Sequence, residues 1–168
     1  MMIEARKLIG LPVAAEDSLS RIGAISQIVI EPENGQVLGF LVATGLFAPP
    51  KTLSIMDIKF WDQNGLVTEY EENLVPIEEI IRIKNIVQEK INLLEMSGET
   101  ESGKSLGNIE DLLIDTENTC VVKYYLRDLL GKARIFTADK VIKIDKKIIF
   151  ADDEGEKVSE ALETQTAS

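Results

Sequence analysis

Short β-branched runs separated by acidic, glycine-bearing turns recur along most of this chain and give way only once to a helical period. Residues 25–31 and 36–43 are rich in Ile, Val and Leu and are split by Glu31-Pro32-Glu33-Asn34-Gly35. Proline presets φ there and Asn-Gly accepts positive φ, so the stretch predicts a β-hairpin. Ile9, Leu11 and Val13 alternate as a first strand, and further short strands are expected over 52–55, 58–60 and 66–70, the last two joined by Asp62-Gln63-Asn64-Gly65. A second series follows over 133–136, 141–144 and 148–151, with Asp145-Lys146-Lys147 as its tight turn.

The hairpin itself is written twice. GAISQIVIEPENGQVLGF from Gly23 and GNIEDLLIDTENTCVVKY from Gly107 align without a gap at an offset of 84, matching Gly23 with Gly107, Ile25 with Ile109, Ile30 with Ile114 and Glu33-Asn34 with Glu117-Asn118. Thr119 replaces Gly35, which leaves Asn118 as the expected left-handed residue of the second turn. Between the copies the period changes: Ile77, Ile80, Ile81, Ile83, Val87 and Ile91 share one face of a helix expected from Pro76 to Ile91, opposite Glu78, Arg82 and Glu89. That face needs burial, so the helix is expected to pack on at least one half. The reading is all-β with one connecting helix: residues 1–73 and 92–152 as two small barrels, 74–91 as the connector, and 153–168 as an acidic disordered tail.

Each half has only about 70 residues, a size at which a single core is marginal, so the halves are expected to lean on each other or on a partner. The net charge of −11 argues against broad affinity for phosphate backbones or anionic lipid, and leaves room for nucleic acid contact only within a ribosomal complex. No run approaches the length of a membrane span. Arg6-Lys7 before the apolar stretch ending at Val13-Ala14-Ala15 resembles a short leader, but Gly10 and Pro12 interrupt it; the strand reading and a cytoplasmic location are preferred. Cys120 is the one cysteine, so there is no disulfide within the chain, and its apolar neighbours make it a small core residue.

Chemistry is sparse. With no histidine, the commonest general base, the usual triads and most zinc sites are excluded. Glu31, Glu33, Asp115 and Glu117 read as exposed turn acids rather than as a cation site. Gly98 to Ser105 matches the spacing of a phosphate loop, yet Ser105 leads into a strand where that loop needs a helix, so the segment is expected to be a hairpin turn. No catalytic, cofactor or metal residue is assigned. What remains is apolar surface: Leu46, Phe47, Pro49 and Pro50 in one loop, and Trp61 at a strand end, either barrel plugs or a partner-binding patch.

The repeated Gly-apolar-x-apolar strand, its acidic Glu-Asn turn, the return strand and the closing pieces Asp57-Ile58-Lys59-Phe60-Trp61 and Asp139-Lys140-Val141-Ile142-Lys143-Ile144 resemble the PRC-barrel family. The resemblance spans most of both halves and implies a small, strongly bent β-barrel, the type found in the H subunit of photosynthetic reaction centres and in RimM-type ribosome maturation factors, where it serves docking and assembly. It therefore implies two PRC-barrels in tandem, acting as a non-enzymatic adaptor that binds another protein. The alternative it implies is an RNA-processing or ribosome-assembly role. These 168 residues contain neither the H subunit's membrane helix nor the separate N-terminal barrel of the RimM type, so neither specific job is carried over.

Overall fold

The computed structural model describes residues 1–152 and the strand residues Glu156–Lys157. In chain order the elements are β1 (Met2–Glu4), α1 (Ala5–Leu8), β2 (Pro12–Ala15), β3 (Ser20–Ile30), β4 (Val37–Ala43), β5 (Lys51–Ser54), β6 (Ile58–Asp62), β7 (Gly65–Thr68) and β8 (Val75–Pro76). They continue with α2 (Ile81–Gln88), β9 (Ser97–Thr100), β10 (Ser105–Asp115), β11 (Cys120–Arg127), β12 (Ala133–Thr137), β13 (Val141–Ile144), β14 (Ile148–Phe150) and β15 (Glu156–Lys157).

Two sheets result, ordered β6-β7-β2-β3-β4-β5-β8 and β13-β14-β9-β10-β11-β12-β15. Their wiring is the same down to the irregularities. The bulge between Ile25 and Gln27 recurs between Ile109 and Asp111, and that between Val29 and Ile30 recurs between Leu113 and Ile114, each 84 residues on. The parallel pair β2–β7 has its counterpart in β9–β14. Bulges bend a strand and sharpen its twist, so a repeated bulge pattern means a repeated curl.

The rings measure that curl. Phe40 and Trp61 lie on strands four places apart, about 19 Å in a flat sheet, yet their centroids are 5.4 Å apart. Phe136 and Phe150, also four strands apart, are separated by 4.5 Å. Each sheet is thus rolled into a small barrel around its own aromatic centre. The shared glycine follows from the same bending: a Cβ on Gly23 would stand 2.6 Å from the Ala43 carbonyl oxygen, and one on Gly107 would overlap that of Arg127.

The halves are not separate beads, because their buried side chains form one connected core. At the junction the two acidic turns meet. Gln36 and Cys120 form an antiparallel bridge; the Val37 N–H donates to the Thr119 carbonyl at 2.7 Å and the Val121 N–H to the Gly35 carbonyl at 3.0 Å. These partners exchange under the offset of 84, so a local two-fold axis passes between Gln36 and Cys120.

Several expectations change. The first strand starts at Pro12, since Ala5–Leu8 coils into a helical turn with Ala5 and Leu8 fully buried. β1 pairs with β10, placing the first residues of the chain on the second sheet. The connector is shorter than the Pro76–Ile91 helix read from the sequence. Ile77–Glu79 is a 3₁₀ turn, Ile80 is extended, and the helix proper runs from Ile81 to Gln88. That break resets the phase: Ile83 and Ile86 are buried, while Ile81, assigned to the buried face, is 72% exposed. The helix is nonetheless packed as expected. The left-handed residue of the second turn is Thr119 (φ 52°), in register with Gly35 (φ 74°), and not Asn118. Of the tail at 153–168, Glu156–Lys157 pairs with Arg134 and Ile135 instead of being disordered; the remainder lies outside the described residues.

Candidate functional site

The apolar loop between β4 and β5 stands free of the fold. Leu46 is 90% and Phe47 95% exposed, and Pro49 and Pro50 are exposed beside them, so Phe47 plugs no barrel mouth. Trp61 is not part of this patch. Half-buried on β6, its indole packs edge-on against Phe40 at an interplanar angle of 72° and serves the core of the first barrel.

The second barrel carries an equivalent loop that the sequence reading passed over. Between β11 and β12, Leu129 and Leu130 are as exposed as Leu46 and Phe47. The local frame explains why they cannot fold back. Asp128 accepts the N–H groups of Leu130 and Lys132, both at 2.9 Å, which ties the backbone of a tight loop into one shape and turns the two leucines outward. Extending the offset of 84 beyond the aligned hairpins brings Leu46 onto Leu130, and that was the available signal. Each barrel therefore presents two adjacent large apolar side chains on the hairpin that follows its copied strand. Such side chains lose nothing by leaving water and have no neighbours in the fold to cover them. Because β4 and β11 leave the Gln36–Cys120 bridge antiparallel to each other, the two tips are carried to opposite sides of the axis.

The turn acids are not the exposed pair the sequence predicted. Glu31 and Asp115, again 84 apart, are buried at 7% and 8% exposure. Both oxygens of Glu31 accept hydrogen bonds from the Arg82 guanidinium, and these bonds hold its carboxyl below the ordinary range. Asp115 accepts from the Asn118 side chain at 2.7 Å and from the backbone N–H groups of Glu117 and Asn118, with the same direction of shift. Glu33 and Glu117 remain exposed. The acids that the sequence groups as turn surface thus clamp the two turns that meet at the axis. No group of three or more metal-ligating side chains occurs among the described residues.

The phosphate-loop spacing falls on the β9–β10 hairpin: the Thr100 N–H donates to the Lys104 carbonyl at 2.9 Å, and Ser105 opens a strand. Cys120 is half-buried within the bridge, and burial pushes its thiol upward, away from a reactive thiolate. No helix among the described residues is long and apolar enough to cross a membrane.

Among known proteins, the family model described as the PRC-barrel domain matches residues 1–99, which takes in the first barrel, helix α2 and the opening of the second half. No curated protein matches the chain.

Proposed function

Since the chain belongs to the PRC-barrel family, we propose that it is a non-enzymatic docking module that binds another protein through the apolar tips of its two hairpins. The observation that carries the reading is the near-complete exposure of Leu46 and Phe47 in a loop that also holds Pro49 and Pro50. Large apolar residues clustered on a protruding loop match the anchor residues of protein interfaces, which gain most when a partner pocket desolvates them. The second tip makes the module two-ended, so that one chain bridges two partners.

The family resemblance alone serves a ribosome-assembly role equally well, whereas the charge of −11 supports a protein partner over a phosphate backbone. The test is affinity capture on the full chain, with and without nuclease, comparing the parent with Leu46→Ser/Phe47→Ser. Proteins that survive nuclease and are lost with the substituted tip support the reading. A nuclease-sensitive ribosomal set, indifferent to the tip, overturns it.

A further inference from the structure

The two barrels differ at one place inside their shared plan. Ile58 and Val141 face Thr68 and Phe150 in the corresponding pairs β6–β7 and β13–β14, and three residues later Trp61 faces Leu66 where Ile144 faces Ile148. Trp61 and Ile144 are therefore equivalent, as are Phe40 and Tyr124, 84 residues apart. In the first barrel the Trp61 indole packs on Phe40. In the second, the smaller Ile144 leaves a cleft of about 100 Å³ beside Tyr124, walled by Gly35 of the facing turn and by Ala138 and Val141.

Tyr124 is 1% exposed, and its hydroxyl makes no hydrogen bond to a described residue. It lies 3.7 Å from where a Cβ on Gly35 would stand, so the glycine keeps the space in front of it clear. A buried hydroxyl without a partner is unfavourable and marks a place where a polar atom is missing. The walls are otherwise apolar, and the size is that of one ring: an engineered apolar cavity of about 150 Å³ takes benzene. Glu33 at the rim favours a donor and repels an anion.

We propose that this cleft takes one neutral aromatic ring of the indole class, supplied as a tryptophan side chain by a protein partner. The ring chemistry follows from the first barrel, which holds an indole of its own at the equivalent position. The source of the ring rests on the docking reading above. Tyr124 is the group that meets the polar atom of the guest, and Ile144 is the residue whose small size leaves the site open.

The test is an amide chemical-shift titration of the full chain with indole, N-acetyl-tryptophanamide and indole-3-acetate. Saturable shifts centred on Gly35, Ala138 and Val141 are expected with the two neutral probes and at least tenfold weaker binding with the anion. Ile144→Trp, which copies the first barrel, should cost at least tenfold in affinity, and Tyr124→Phe several-fold with the melting temperature retained. If Ile144→Trp does not fold, Ala138→Leu narrows the same cleft. Absence of saturable shifts, or shifts indifferent to both occluding variants, overturns the site. Binding of indole but not of N-acetyl-tryptophanamide overturns the partner as its source. Neither probe involves the hairpin tips, so failure here and failure of tip-dependent capture are read separately.

Discussion

Gln36 and Cys120 occupy the same position in the two halves and pair with each other, joined by backbone hydrogen bonds that the local two-fold axis interchanges. An interface built from the same patch on both sides is the arrangement of a symmetric dimer, here realised within one chain. The energetics of the molecule concentrate where the two copies meet.

At that junction Thr119 sits at φ 52°, a conformation that a β-branched residue adopts only under constraint, while its counterpart Gly35 holds φ 74° freely. Thr119→Gly should stabilise the chain by about 1 kcal/mol, the strain of a left-handed residue outweighing the added freedom of the unfolded glycine. A rise of roughly 2–4 °C in calorimetric melting temperature is expected. A fall would mean that the threonine side chain contributes more than its backbone costs.

Glu31 predicts an acid-sensitive hinge between α2 and the first turn. Its folded carboxyl is held below the ordinary value of 4.5 by the Arg82 hydrogen bonds. Its contribution is therefore fully present above about pH 4.5 and is lost as pH falls through the lowered folded value. Melting curves of the parent should drop across that window. Glu31→Gln should melt lower at pH 7 and show a flatter acid limb; parallel acid limbs would sink the assignment.

Helix α2 should melt with the barrels rather than before them. Ile83 and Ile86 are buried in the common core, and Ile86→Ala should cost about 2–5 kcal/mol and lower one cooperative transition by roughly 4–20 °C. Ile81→Ala, on the outward side, should change stability by no more than about 0.5 kcal/mol. Two resolved transitions in calorimetry would instead describe independent barrels.

If both tips dock, stoichiometry reveals it. Once a partner has been captured, native mass spectrometry should find two copies per chain, one copy after Leu129→Ser/Leu130→Ser, and none when both tips are substituted. Stability should move by less than about 0.5 kcal/mol, because none of these side chains is packed.

Much of the fold could be read in the sequence because the signals were local. Turn chemistry at Glu31–Gly35, the repeated glycine and the alternating strands near 141–151 each announce themselves within a few residues. The ungapped offset carried the equivalence of the two halves, and the bulges follow it residue for residue. What escaped depended on distant partners. Nothing near Arg82 says that it reaches back to Glu31, and nothing near Arg6 says that its guanidinium will donate to the carbonyls of Leu94 and Ile109. The helical period was seen but overextended, because one extended residue, Ile80, shifts the phase without leaving a mark in the composition. Of the candidate docking residues, Leu46 and Phe47 were visible as apolar residues beside Pro-Pro. Trp61 was drawn into that set by its size, and only its contact with Phe40 assigns it to the core.

The pairing of Ile3 with Ile114 ties the first residues synthesised to a strand made more than a hundred residues later. A growing chain can assemble its first barrel early, yet its opening strand has no seat until β10 and the turn at Asp115 have emerged. Contacts of such sequence separation slow folding, since the intervening chain must be ordered before they give any return. The last barrel to be made thus latches the first few residues into place, and completion of the second half is the event that closes the whole molecule.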